Sequence, residues 1–168
     1  MIVRTLSCTL LALLAACSGA KGFKAGTLHP TKYRSIAVPI FQNATYDRQV
    51  GYQVTEALQK RLQQSSPYAI VGEGTADTVL RGKVMAVNLR QISQSLGTGL
   101  TEELGCTVTV DWEWIDMRTG KPIIARNGFA STGTVVASRP QAEPLDLARY
   151  QAVQSLADDI VANLQADW

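Results

Sequence analysis

Cys106-Thr107-Val108-Thr109-Val110-Asp111-Trp112-Glu113-Trp114 alternates apolar and polar residues without a break. Only extended backbone sends successive side chains to opposite faces, so this period of two predicts a β-strand with one apolar, aromatic face and one polar face. A strand of that kind belongs to an antiparallel sheet covered on one side. Downstream, Asp116 to Lys121 contains Thr119-Gly120 and predicts a hairpin turn, after which Ile123 to about Val136 returns as a further strand. Upstream, Thr78 to about Ile92 predicts another strand. Apolar residues occupy both of its faces from Val84 to Val87, which a β-bulge or two-sided burial would explain.

The pattern changes to a helical period elsewhere. Val50, Val54, Ala57, Leu58 and Leu62 recur at steps of three and four between about Gln49 and Gln64, predicting an amphipathic helix that Ser66-Pro67 ends. A second helix opens near Pro144, with Leu145, Ala152, Val153, Leu156, Ile160, Val161 and Leu164 as its apolar positions. Ser35 to Phe41 is a short β-rich run. Pro39 has no N–H to give to a ladder, so this strand is expected at a sheet edge or near its own end. Tyr68 to Val71 predicts either a short strand or the lead into one. The order β-α-β-β-β-α implies an α+β fold: a two-layer sandwich of two helices packed on a four-stranded, mostly antiparallel sheet, with Trp112 and Trp114 facing the helices.

The N-terminus reads as a targeting segment. Arg4 precedes an apolar run from Leu6 to Ala16 that is too short for the ~20 residues a membrane span requires. A charged start, a short apolar core and small residues at its end make a secretory signal peptide. Leu14-Ala15-Ala16-Cys17 resembles the lipobox of bacterial lipoproteins, in which the chain is cut before the cysteine and that cysteine is acylated. The expected organisation is therefore a signal peptide over 1–16, a lipidated N-terminus and tether over 17–34 beginning at Cys17, and one domain over 35–168. Ser18 rather than Asp after the cysteine resembles the sorting signal for the outer membrane. Once Cys8 leaves and Cys17 is acylated, only Cys106 remains, which reads as a buried small hydrophobe.

Several functional classes are disfavoured. Sixteen Lys and Arg against fourteen Asp and Glu leave a net charge of +2, well short of the basic field that nucleic-acid binding by counterion release requires. One histidine, His29, lies in the tether, so neither a Ser-His-Asp arrangement nor a zinc site of three or four His and Cys ligands is expected. Gly72-Glu73-Gly74 and Gly97-Thr98-Gly99 read as turns, since neither matches a phosphate-binding fingerprint. Asp158 and Asp159 point about 100° apart on a helix and read as a solvated face. What remains is a non-enzymatic binding protein that needs neither a metal nor a cofactor.

Gly22-Phe23 after the cysteine, Ser35-Ile36-Ala37-Val38-Pro39-Ile40-Phe41-Gln42-Asn43-Ala44-Thr45, Thr55-Glu56-Ala57-Leu58, and Ala76-Asp77-Thr78-Val79-Leu80-Arg81-Gly82-Lys83-Val84 together resemble the LptE family of lipopolysaccharide-assembly lipoproteins. The resemblance runs in order from Cys17 to the final helix. It implies an outer-membrane lipoprotein, anchored on the periplasmic side or within a barrel lumen, that plugs the β-barrel LptD, assists its assembly and binds lipopolysaccharide. A plug needs a polar exterior, which the face of Thr107, Thr109, Asp111 and Glu113 would supply. The resemblance places lipid-contacting basic residues in the loop between the second and third of the four expected strands and in the loop before the last helix, and the latter holds Arg139. The other loop, Ser93 to Thr101, has no Lys or Arg, and Arg90 is the basic residue beside it. Strands of the Ile-Ala-Val type followed by a helix also occur in other envelope lipoproteins. The alternative is thus a binding module resembling peptidoglycan-synthase activators or curli-type secretion lipoproteins.

Overall fold

A computed structural model describes residues 32–94, 96–97, 101–137 and 144–166. Three long strands form its backbone: β4 (Thr78–Gln94), β5 (Thr101–Asp116) and β6 (Lys121–Val136), joined as an antiparallel meander. Three short strands complete the sheet, β1 (Ser35–Ala37), β2 (Gln42–Asn43) and β3 (Ala69–Ile70). Helix α1 (Val50–Ser65) lies between β2 and β3, and helix α2 (Leu145–Ala166) follows β6. The sheet order is β3-β1-β4-β5-β6, with β2 also pairing β4.

The expected four strands are thus six, and the short ones pair in parallel: β1 with β3 and β4, and β2 with β4. The single run from Ser35 to Phe41 divides because Pro39 cannot donate to a ladder, and the chain leaves the sheet after Ala37 and rejoins at Gln42. Of the two positions expected for that strand, only the second holds: β1 ends just before Pro39 but lies inside the sheet, between β3 and β4. The outermost strands are β3 and β6, and β6 carries Pro122 near its start. The hairpin turn closes with Gly120 at φ 67°, its N–H donating to the Asp116 carbonyl at 2.8 Å.

Both helices cover the same face. Val50, Val54, Leu58 and Leu62 of α1 and Leu156, Ile160 and Leu164 of α2 bury against Leu80, Val84, Val110, Trp112 and Trp114. Trp112 and Trp114 face the helices, as the alternation predicts. Arg61 Nε meets Asp158 Oδ1 at 2.8 Å between the helices. Tyr33, assigned above to the tether, belongs to the packed domain: it is buried, and its ring meets Trp114 edge-on at 5.7 Å. Of the two explanations offered for the apolar run in β4, the bulge is present. Val84 pairs Val110 and Ala86 pairs Thr109, so Met85 is the extra residue and the alternation of β4 shifts by one beyond it.

Candidate functional site

The N-terminal segments are held to β4 by side chains within the motifs quoted above. Asp77 Oδ2 accepts the N–H groups of Arg34 at 2.9 Å and Ser35 at 3.0 Å, and the Ser35 hydroxyl at 3.0 Å. This pins the start of β1 to the start of β4. Phe41 lies across Gly82, where a Cβ would sit 2.1 Å from the Phe41 ring, so only glycine admits the aromatic. The Phe41 N–H donates to Thr55 Oγ1 at 2.9 Å, and the Thr55 hydroxyl donates to the Gly51 carbonyl at 2.7 Å. Asn43 Oδ1 accepts the Thr45 N–H at 2.9 Å, turning the chain away from the sheet. Asp47 at the end of this turn then meets Arg149 of α2.

At the hairpin end, the buried Asp116 accepts the Tyr33 hydroxyl at 3.0 Å, Lys32 Nζ at 3.3 Å and the Arg118 N–H at 2.9 Å. Burial pushes this carboxyl up, but those hydrogen bonds outweigh it and hold it below its ordinary value of 3.8. Asp77 is also held low, first by the Arg34 N–H and then by Ser35. A carboxyl whose folded pKa lies below its unfolded one binds fewer protons in the native state. Its stabilisation is therefore fully present above the unfolded value and lost as pH falls through the folded one. Denaturation midpoints measured from pH 7 down to about 3 are expected to fall in the acid range, and less steeply in Asp116→Asn. An identical acid limb in that variant would contradict the assignment.

Two surfaces are candidates for binding. The first is the sheet face opposite the helices. Thr107, Thr109, Asp111 and Glu113 of β5 alternate with buried residues and are only partly covered. Arg81 and Lys83 stand beside Glu113 and Asp111 in register, and the Thr107 and Thr132 hydroxyls meet at 2.7 Å. The second lies at the far end of the sandwich. The 16 residues of β5 reach roughly 50 Å and the 22 of α2 about 33 Å, so the strands outrun the helix. Between the Ala44–Asp47 turn, the β4 bulge and the first turns of α2 opens a groove of about 420 Å³ floored by Val87, Leu89 and Cys106. Burial pushes the Cys106 thiol pKa up, which keeps it an unreactive apolar group.

Of the residues singled out by sequence, Cys17, Arg139 and His29 lie outside the described residues. Arg90 is exposed and pairs Gly105, placing it on the open sheet face and not in the groove. Among the described residues no group of His, Cys, Asp and Glu could hold a metal ion, and no helix is long and apolar enough to cross a membrane.

Residues 33–164 match the LptE family, described as lipopolysaccharide-assembly. The chain belongs to the LptE family. No curated protein matches it significantly. Among solved structures this LptE-family chain resembles the PelC dodecamer of Paraburkholderia phytofirmans at 20% identity and a TM-score of 0.53, over 82% of this chain and 93% of that one. It is also similar to a hypothetical protein of Chlamydia trachomatis, at 11% identity and a TM-score of 0.54, over 79% and 96% of the two chains. Lipoprotein B of Nitrosomonas europaea aligns at 11% identity and a TM-score of 0.51, over 82% and 84%. At these identities the likenesses establish a shared fold, and the LptE assignment rests on the family match alone.

Proposed function

We propose that this LptE-family chain is an outer-membrane lipoprotein that plugs the LptD β-barrel, assists its assembly and takes part in delivering lipopolysaccharide to the cell surface. The observation that carries this reading is a polar sheet face, only partly covered among the described residues, on a chain of a lipopolysaccharide-assembly family. The lumen of a large outer-membrane barrel is wet and polar. A plug must offer it hydrogen-bonding groups while keeping its own core closed. The threonines and charges of the open face meet the first requirement, and the helices over Trp112 and Trp114 meet the second.

In this reading residues 1–16 are removed, Cys17 is acylated, and the residues up to about Lys32 form the tether to the membrane. Several acyl chains on one cysteine give the stable attachment that a single chain does not. Arg139 and Arg90 are the proposed lipopolysaccharide contacts, since guanidinium groups pair well with lipid phosphates. Cys17→Ala is expected to leave the protein unprocessed or mislocalised, as read by membrane fractionation. Wild-type recovery in the outer membrane would show that the lipid is not what holds it. A photo-crosslinking amino acid at Thr109 tests the plug itself. It is expected to capture the barrel in living cells, and failure there and at Thr132 would contradict the open face as the lumen contact.

A further inference from the structure

Strand β4 is longer than the strands on its β1 side can cover. It pairs with β1 at Thr78–Val79 and with β2 at Lys83–Val84. The Ala44 N–H then donates to the Val84 carbonyl at 2.9 Å and the chain turns away. From Ala86 to Gln91, β4 is paired on one edge only, by β5, and among the described residues nothing hydrogen-bonds to the other. Such a row of free N–H and C=O groups is a template for an added strand. The apolar groove opens beside it, with Leu89 55% exposed on the groove floor and Met85 43% exposed at the bulge.

We propose that this edge receives an extended segment of a partner protein, which adds a strand beside Ala86–Gln91 and lays alternate apolar side chains over Val87 and Leu89. Backbone pairing supplies the affinity of such an arrangement, and the groove supplies its preference. Charge sets a further requirement. Asp47 and Asp146 line the groove with Arg149 as its one described cation, and Arg149 is paired to both. The net negative rim calls for a Lys or Arg on the incoming segment. It disfavours an anionic amphiphile, which would also leave the backbone row unpaired. A second copy pairing edge to edge would bring two acidic rims together. The free edge, the apolar groove and its acidic rim stand without the barrel reading.

The test selects a random library of short peptides against the purified full-length protein in detergent. Enriched peptides are expected to alternate apolar and polar residues and to carry Lys or Arg. Their synthetic forms should protect the amides of Ala86–Gln91 from hydrogen exchange. N-methylation of the peptide at alternate amides, or Leu89→Asp in the protein, should each weaken binding by about tenfold or more. Leu89 is exposed, so its replacement leaves the core intact. No enrichment, equal binding to Leu89→Asp, protection elsewhere, or a dimer that Leu89→Asp dissociates would each overturn the proposal.

Discussion

Trp114→Ala is expected to lower the unfolding free energy by about 3–5 kcal/mol, the range for truncating a buried large aromatic. The side chain is fully buried, with Tyr33 edge-on at 5.7 Å and Tyr68 tilted at 6.1 Å. It joins the segment before β1, the residue before β3 and the hairpin end of β5, so its removal opens a cavity that three separate elements would have to close. Its indole N–H has no acceptor among the described residues, so the loss is one of packing and not of a hydrogen bond. At about 2–4 °C per kcal/mol for a chain of this size, Tm should fall by on the order of 10 °C. Trp114→Phe, which keeps most of the ring area, should recover much of that. An unchanged Tm for the alanine variant would mean that this face of β5 does not carry the core.

Gly133→Ala is expected to destabilise by about 3 kcal/mol through crowding instead of cavity formation. A Cβ at Gly133 would stand 2.1 Å from the Ala148 carbonyl oxygen and 2.6 Å from the Ala152 nitrogen, both of them backbone atoms of α2. Neither can swing aside as a side chain could, so the helix must lift from β6 along its first turns. Those turns hold Arg149 against Asp47, and the same displacement should loosen the groove. The measurement is a denaturation midpoint together with the rate of Cys106 alkylation. A lower midpoint with faster alkylation is expected. Wild-type values for both would contradict the direct packing of α2 on β6.

The long elements were legible because each repeats its period several times. The alternation through Trp112 and Trp114 and the three- and four-residue steps of both helices place the core correctly. The β-rich run Tyr68 to Val71 did mark β3, whereas the two-residue strand β2 is too short to show any period and exists because β4 offers it an edge. Tyr33 is a lone aromatic in a polar segment, and its burial depends on Asp116, 83 positions away. The orientation of Arg90 turns on one residue. Without the bulge at Met85, the alternation that buries Val84 would send Arg90 to the helix side, and with it Arg90 reaches the open face. Sequence suggested the bulge without stating which strand face each later residue takes. The groove was illegible because Asp47 and Arg149, which frame it, are 102 positions apart.

The proposed plug role requires that the chain be the partner of an outer-membrane barrel. A tag placed after Trp168, extraction of outer membranes in mild detergent, and identification of what co-purifies in stoichiometric amount test this directly. A large β-barrel of the LptD type is the result expected. A peptidoglycan synthase, a secretion ring or no stoichiometric partner at all would contradict it.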